Sequence, residues 1–96
     1  MTSRFLSAAE AEFADARAFY EAERVGLGDD FFETIRAAVG RLEEIPEMGS
    51  PLDSKYRSVV VLRFPFRIVY RIAGGEIVIV AVAHQSRRPE YWRDRV

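Results

Sequence analysis

The stretch VAHQSRRPEYW, residues 82–92, gathers the single histidine of the chain, two adjacent arginines, a proline and two aromatic side chains. Guanidinium groups clamp phosphate or carboxylate oxygens in pairs, an imidazole moves protons near neutral pH, and a tyrosine or tryptophan stacks on an unpaired base. Upstream, the run RFPFRIVYRI adds Arg67 and Arg71 four residues apart. A charge clamp, a base platform and a general acid or base are the parts of an RNA-cleaving site, so Arg67, His84, Arg87 and Tyr91 are the catalytic candidates. The same region read as a docking surface offers Arg57, Arg67, Arg71, Arg87, Arg88 and Trp92 to a partner or target. Each residue also has a plainer reading. Arg67 and Arg71 suit the solvated side of a half-exposed strand, His84 can cap its strand through a backbone hydrogen bond, and a lone tryptophan is usually largely buried.

Other chemistries lack parts. One histidine and no cysteine leave only carboxylates for a metal, and these fall on helix faces without ligand spacing, so no metal or cofactor is expected. No glycine-rich phosphate loop precedes a helix. Ser86 beside His84 has none of the context of a nucleophile elbow. The absence of cysteine also removes disulfides and thiol chemistry and fits a reducing cytoplasm. The start, MTSRFLSAAEAEF, lacks the basic and apolar parts of a secretory signal, and the run IVIVAVA is far short of the ~20 residues of a membrane span.

The net charge of −1 hides an uneven distribution. Residues 1–48 hold five arginines against eleven carboxylates, whereas residues 49–96 hold nine basic side chains against four. Either the basic half faces an acidic partner or the two halves attract each other across the fold.

The elements that must position these residues fit one domain over residues 1–96. Residues 3–6 suit a short strand, and Ser7-Ala8-Ala9-Glu10 has the spacing of a capping box that opens a helix. Ala9, Phe13, Ala16 and Tyr20 then form an apolar helical stripe, and Gly26 and Gly28 break the run. A second helix carries Phe31, Ile35, Ala38, Leu42 and Ile45 on one face, widened by Val39; Asp29 and Asp30 suit its start, and Pro46 stops it. After the loop PEMGSPLDSK the period changes to two in YRSVVVLR, FRIVYRIA and EIVIVAVAH, with Gly74-Gly75 as a hairpin turn, which predicts a three-stranded antiparallel meander. One face of the middle strand, with Phe66, Ile68, Tyr70 and Ile72, should pack on the helices. The other, with Arg67, Val69 and Arg71, should be partly wet. Residues 88–96 suit a short terminal helix with Pro89 in its first turn. The prediction is an α+β domain of two layers, a helical hairpin on an antiparallel sheet, in the order β-α-α-β-β-β-α.

In this order after a helical hairpin, the segments LEEIPEMGSP, RFPFRIVYRI and AVAHQSRRPEYW resemble the RelE/ParE superfamily of bacterial toxins, and its ParE-like branch in particular. The resemblance implies a small cytoplasmic toxin, neutralised by a cognate antitoxin that lays a C-terminal segment across its surface in a hetero-oligomer. RelE-like members cut messenger RNA on the ribosome with basic residues of the open sheet face and a C-terminal aromatic. Arg67 falls on a functional arginine of that branch, and Tyr91 or Trp92 lies near the aromatic. Where those ribonucleases present lysines, this chain has Arg57, Ser58, Val59, Val60 and Val61. Valines neither hold a phosphate nor move a proton. The departure favours the ParE-like reading, a toxin that binds DNA gyrase; the alternatives are a ribosome-dependent endoribonuclease and a non-toxic antitoxin-binding module.

Overall fold

The computed structural model describes residues 1–95. Its elements are β1 (Thr2–Phe5), α1 (Ser7–Glu23), α2 (Leu27–Glu44), β2 (Ser50–Pro51), β3 (Arg57–Val61), β4 (Phe66–Ala73) and β5 (Glu76–His84). The helices form an antiparallel hairpin on one face of a five-stranded sheet of order β1-β5-β4-β3-β2. The predicted meander is β3, β4 and β5, and Gly74 and Gly75 turn its second hairpin with φ of 60° and 74°. The sheet is mixed rather than wholly antiparallel, because β1 joins β5 in parallel. The short β2 pairs with the start of β3 inside the segment that composition assigns to loop.

The helix entrances depend on contacts outside the local sequence. The capping box on Ser7 does not form: Leu6 is the N-cap, without a side-chain cap bond. The Leu6 N–H donates to the Ile79 carbonyl at 3.0 Å, and the Leu6 carbonyl accepts from the Glu10 N–H at 2.9 Å. The chain therefore passes from sheet to helix with its polar groups already paired by backbone. At the start of α2 the Glu21 carboxylate accepts from the N–H groups of Gly26 and Gly28, each at 3.0 Å. Gly28 lies so close to α1 that a Cβ there would stand 2.6 Å from the Arg17 carbonyl oxygen.

The helical stripes and one sheet face make the main core. Ala9, Ala16, Phe31, Ile35, Ala38, Val39 and Leu42 pack on Phe66, Ile68, Tyr70, Ile77 and Ile79. Phe13 stacks between Phe5 and Phe32, with ring centroids 5.7 and 5.4 Å away. Ile45 and Ile72, placed on these stripes by spacing, are exposed near the ends of their elements.

The opposite sheet face is drier than its alternation predicts. Val69, Val78, Val80, Ala81 and Ala83 join Leu6, Tyr56 and Trp92 in a second buried cluster. A register shift between Val69 and Tyr70 leaves Val80 opposite no residue of β4, an extra residue that bends the strand. The segment after β5 covers this face, and it does so without the predicted terminal helix. Residues 88–95 are successive turns in which Tyr91, Arg93 and Arg95 N–H groups donate to the Arg88, Glu90 and Trp92 carbonyls. Glu90 has φ of 62°, a left-handed conformation that a right-handed helix does not continue through. Val96, the last residue of the predicted helix, lies outside the described residues.

Below the main core, the Gly49 N–H donates to the buried Tyr70 hydroxyl at 3.0 Å, and that hydroxyl donates to the Pro46 carbonyl at 2.7 Å. A Cβ on Gly49 would stand 2.6 Å from the Tyr70 oxygen and 2.7 Å from its ring. Gly49→Ala should therefore cost about 1–3 kcal/mol by overpacking. Urea unfolding checks this, and an unchanged midpoint would show that the loop yields freely.

Candidate functional site

A cleft of about 330 Å³ opens on the second sheet face, between β4, β5 and the turns that follow. Arg67, His84, Arg87, Arg88, Tyr91 and Trp92 line it, over an apolar floor of Val69 and Ala83. Four of these come from VAHQSRRPEYW beyond its histidine because β5 ends at His84 and the turns fold back over the sheet. Arg67 sits between Val60 of β3 and Ala83 of β5 in register. Its Nη1 donates to the Ser58 hydroxyl at 2.8 Å.

His84 packs its ring edge-on against Phe66, with centroids 5.1 Å apart. Its Nδ1 accepts from the Ser86 N–H at 2.9 Å and contacts the Ser86 hydroxyl at 2.7 Å. A backbone N–H only donates, so the proton of the neutral ring resides on Nε2. Among the described residues no carboxylate hydrogen-bonds this ring. The Ser86–His84 contact is thus that of a strand-end turn, without the third group that orients a hydrolytic base.

The outer wall of the cleft is built by long-range ties. The Arg87 guanidinium lies 3.8 Å from the centre of the Tyr91 ring, and its Nη1 is 3.8 Å from Glu12 Oε2. Glu12, on α1, accepts from the Tyr91 hydroxyl at 2.5 Å, from Arg95 at 2.8 and 2.9 Å, and from the Val82 N–H at 3.1 Å. Burial first, and then the Glu12 carboxylate, push the Tyr91 phenol well above its usual range, so it stays a protonated donor. The hydrogen bonds to Glu12 raise Arg95 likewise.

Between the two Glu12 partners in sequence, Arg93 reaches Asp53, which accepts from it at 2.7 Å and from the N–H groups of Lys55 and Tyr56 at 2.8 Å each. These bonds, the backbone ones foremost, lower the Asp53 carboxyl to about 2. Between the two ties Trp92 is 5% exposed and meets Tyr56 edge-on at 4.8 Å. It packs the wall against the sheet while its edge still lines the cleft.

Two of the expected arginines stand apart from the cleft. Arg57 turns toward the β2 loop and donates to the carbonyls of Glu47 and Gly49 at 3.1 and 2.8 Å. Arg71 pairs in register with Val78, four residues along the strand from Arg67, and its Nη1 is buried with no partner among the described residues. The charge imbalance is partly internal: Arg87 and Arg95 face Glu12, Arg63 faces Asp30, and Arg57 faces Glu47. Glu12, Asp53, Arg93 and Arg95 were absent from the candidates. Only Asp53 had a local signal, since an aspartate in PLDSKY can accept from amides two and three residues on.

The hairpin and the meander have counterparts among known proteins. The family model of the ParE toxin of type II toxin–antitoxin systems, parDE, matches residues 4–89. The chain belongs to the ParE toxin family. One solved structure it is similar to is the chromosomal ParDE toxin–antitoxin system from P. aeruginosa. The two share 16% identity over 88% of this chain and 95% of that one, with a TM-score of 0.63, a likeness of fold. No curated protein sequence matches significantly. The ParE match takes in Glu12, Arg67, His84, Arg87 and Arg88, whereas Tyr91, Trp92, Arg93 and Arg95 lie beyond its end.

The Asp53 tie gives the wall an acid limit. A carboxyl lowered to about 2 in the fold, against an ordinary value near 3.8, contributes stability that is present above about pH 4 and lost as pH falls toward 2. Trp92 emission should therefore shift to the red over that window, and Asp53→Asn should show part of the shift already at neutral pH. Identical acid titrations of the two proteins would remove Asp53 from the tie.

Proposed function

We propose that this chain is the toxin of a type II toxin–antitoxin pair, that it acts by binding DNA gyrase through the cleft, and that a cognate antitoxin neutralises it by covering that surface. The family supports the toxin assignment. The row Val60, Arg67, Ala83 across the sheet supports binding rather than RNA cleavage. Cleavage at neutral pH needs an acid and a base on opposite sides of the scissile bond. Here Arg67 carries charge, its neighbours across the sheet are apolar, and the Tyr91 hydroxyl is committed to Glu12. His84 is left with one free nitrogen, and the carboxylate that lines the cleft, Glu90, is paired with Arg93. Arg67, Arg87 and Arg88 around an apolar floor suit instead an acidic protein surface. The target and the antitoxin place the protein in the cytoplasm, and among the described residues no helix is long and apolar enough to cross a membrane.

The test is a gyrase supercoiling assay run beside translating ribosomes. The wild-type chain should inhibit supercoiling and leave message intact, and Arg67→Glu with Arg88→Glu should need about tenfold more protein or worse for the same inhibition. Cut message with unimpaired gyrase would replace this reading with that of a ribosome-dependent endoribonuclease. Growth unaffected by confirmed expression would point to the non-toxic module.

A further inference from the structure

The outer wall of the cleft is thin. Arg87 and His84 line the cleft on one side and, on the other, a second hollow of about 260 Å³ reached from α1 by Glu12 and Asp15. Beyond the edge contact of His84 with Phe66 and of Arg87 with the Tyr91 ring, side chains with open space on both sides are not held by packing. Residues 85–95 belong to no helix or strand, so no ladder of backbone bonds fixes them either. On this side of the cleft Glu12 supplies the fixed point: the carboxylate is only 15% exposed, and all four of its hydrogen bonds go to β5 or to this wall. The Val82 N–H that it accepts lies beyond the stretch of β5 paired with β1, which ends at Phe5 opposite Ile79. One side chain thus closes the free edge of β5 and anchors Tyr91 and Arg95 to it.

We propose that Glu12 is the positioning residue of the cleft, holding Arg87 and Tyr91 from α1 in the arrangement that receives the target. The inference rests on the cleft being the target-binding surface. It adds that this surface is built from outside itself, by a helix of the other layer. A carboxylate with four donors is costly to replace, because the donors it leaves behind are partly buried. Glutamine keeps the volume and an acceptor for the Val82 N–H, but it removes the charge that holds Arg95 through two nitrogens.

Trp92 is the only tryptophan of the chain and lies between Tyr91 and Arg93, so its emission reports the wall directly. In Glu12→Gln its emission should shift to the red and become more accessible to acrylamide, while far-UV circular dichroism stays that of the wild type. Arg95→Gln attacks the same bond from the far end of the chain and should do the same. The double variant should exceed neither single one by much, since both remove one interaction. Gyrase inhibition should weaken about tenfold in each. Unchanged Trp92 emission in both variants would overturn the proposal. Full gyrase inhibition by a loosened Glu12→Gln would also overturn it, provided the Arg67→Glu, Arg88→Glu control has lost inhibition. If that control also inhibits fully, the cleft is not the target surface, and the functional reading fails along with the inference.

Discussion

Four hydrogen bonds meet on the Glu12 carboxylate, and the arrangement of the cleft depends on them. A domain of 96 residues has material for one principal core, and here the helical hairpin covers one sheet face. The other face, with β5 buried on both sides, must be covered by whatever chain remains. That remainder is a series of turns with little apolar content of its own beyond Tyr91 and Trp92. Turns do not bury a sheet unaided, because their ordering entropy is repaid only where long-range bonds fix them. Glu12, through Tyr91 and Arg95, and Asp53, through Arg93, supply those bonds, with Trp92 packed among them.

The same constraint explains the chemistry of the surface. Tyr91, which in a linear reading belongs to a reactive cluster, is consumed together with Arg95 in securing the segment. Arg67 and Arg88 remain directed at the cleft, and Arg87 is shared between Glu12 and the Tyr91 ring. The result is a charged, shaped surface in which Tyr91 is engaged in structure and His84 keeps only one free nitrogen. Such a division suits recognition, where fixed charges over an apolar floor give both rate and selectivity.

Much of the fold was legible because it rests on periodicity. The spacing of Phe31, Ile35, Ala38 and Leu42, the alternation Phe66, Ile68, Tyr70 and the Gly74-Gly75 turn each specify their element within a few residues. The errors fall where a distant contact replaces a local one. Ser7 and Glu10 fit a capping box, yet Ile79 already satisfies the entering backbone. Pro89 and its polar neighbours fit a helix start, yet the left-handed Glu90 and the ties of Tyr91, Arg93 and Arg95 to Glu12 and Asp53 select turns. Of the site, His84, Arg67, Arg87, Arg88, Tyr91 and Trp92 were legible by residue type and do converge. Arg57 and Arg71 share their composition but not their position. Glu12 was invisible for a physical reason: on a helix with Glu10 and Asp15 it reads as one more solvated carboxylate, and its partners stand 70 or more positions away.

The proposed function puts recognition on the sheet face closed by the C-terminal turns and not on the helical hairpin. Amide hydrogen exchange of the chain, free and bound to gyrase, tests it most directly. Slowed exchange in β4 around Arg67 and across residues 84–92, with α1 and α2 exposed as before outside the turn near Glu12, is the predicted result. Protection confined to the outer faces of the two helices, with the cleft exchanging as in the free protein, would contradict it.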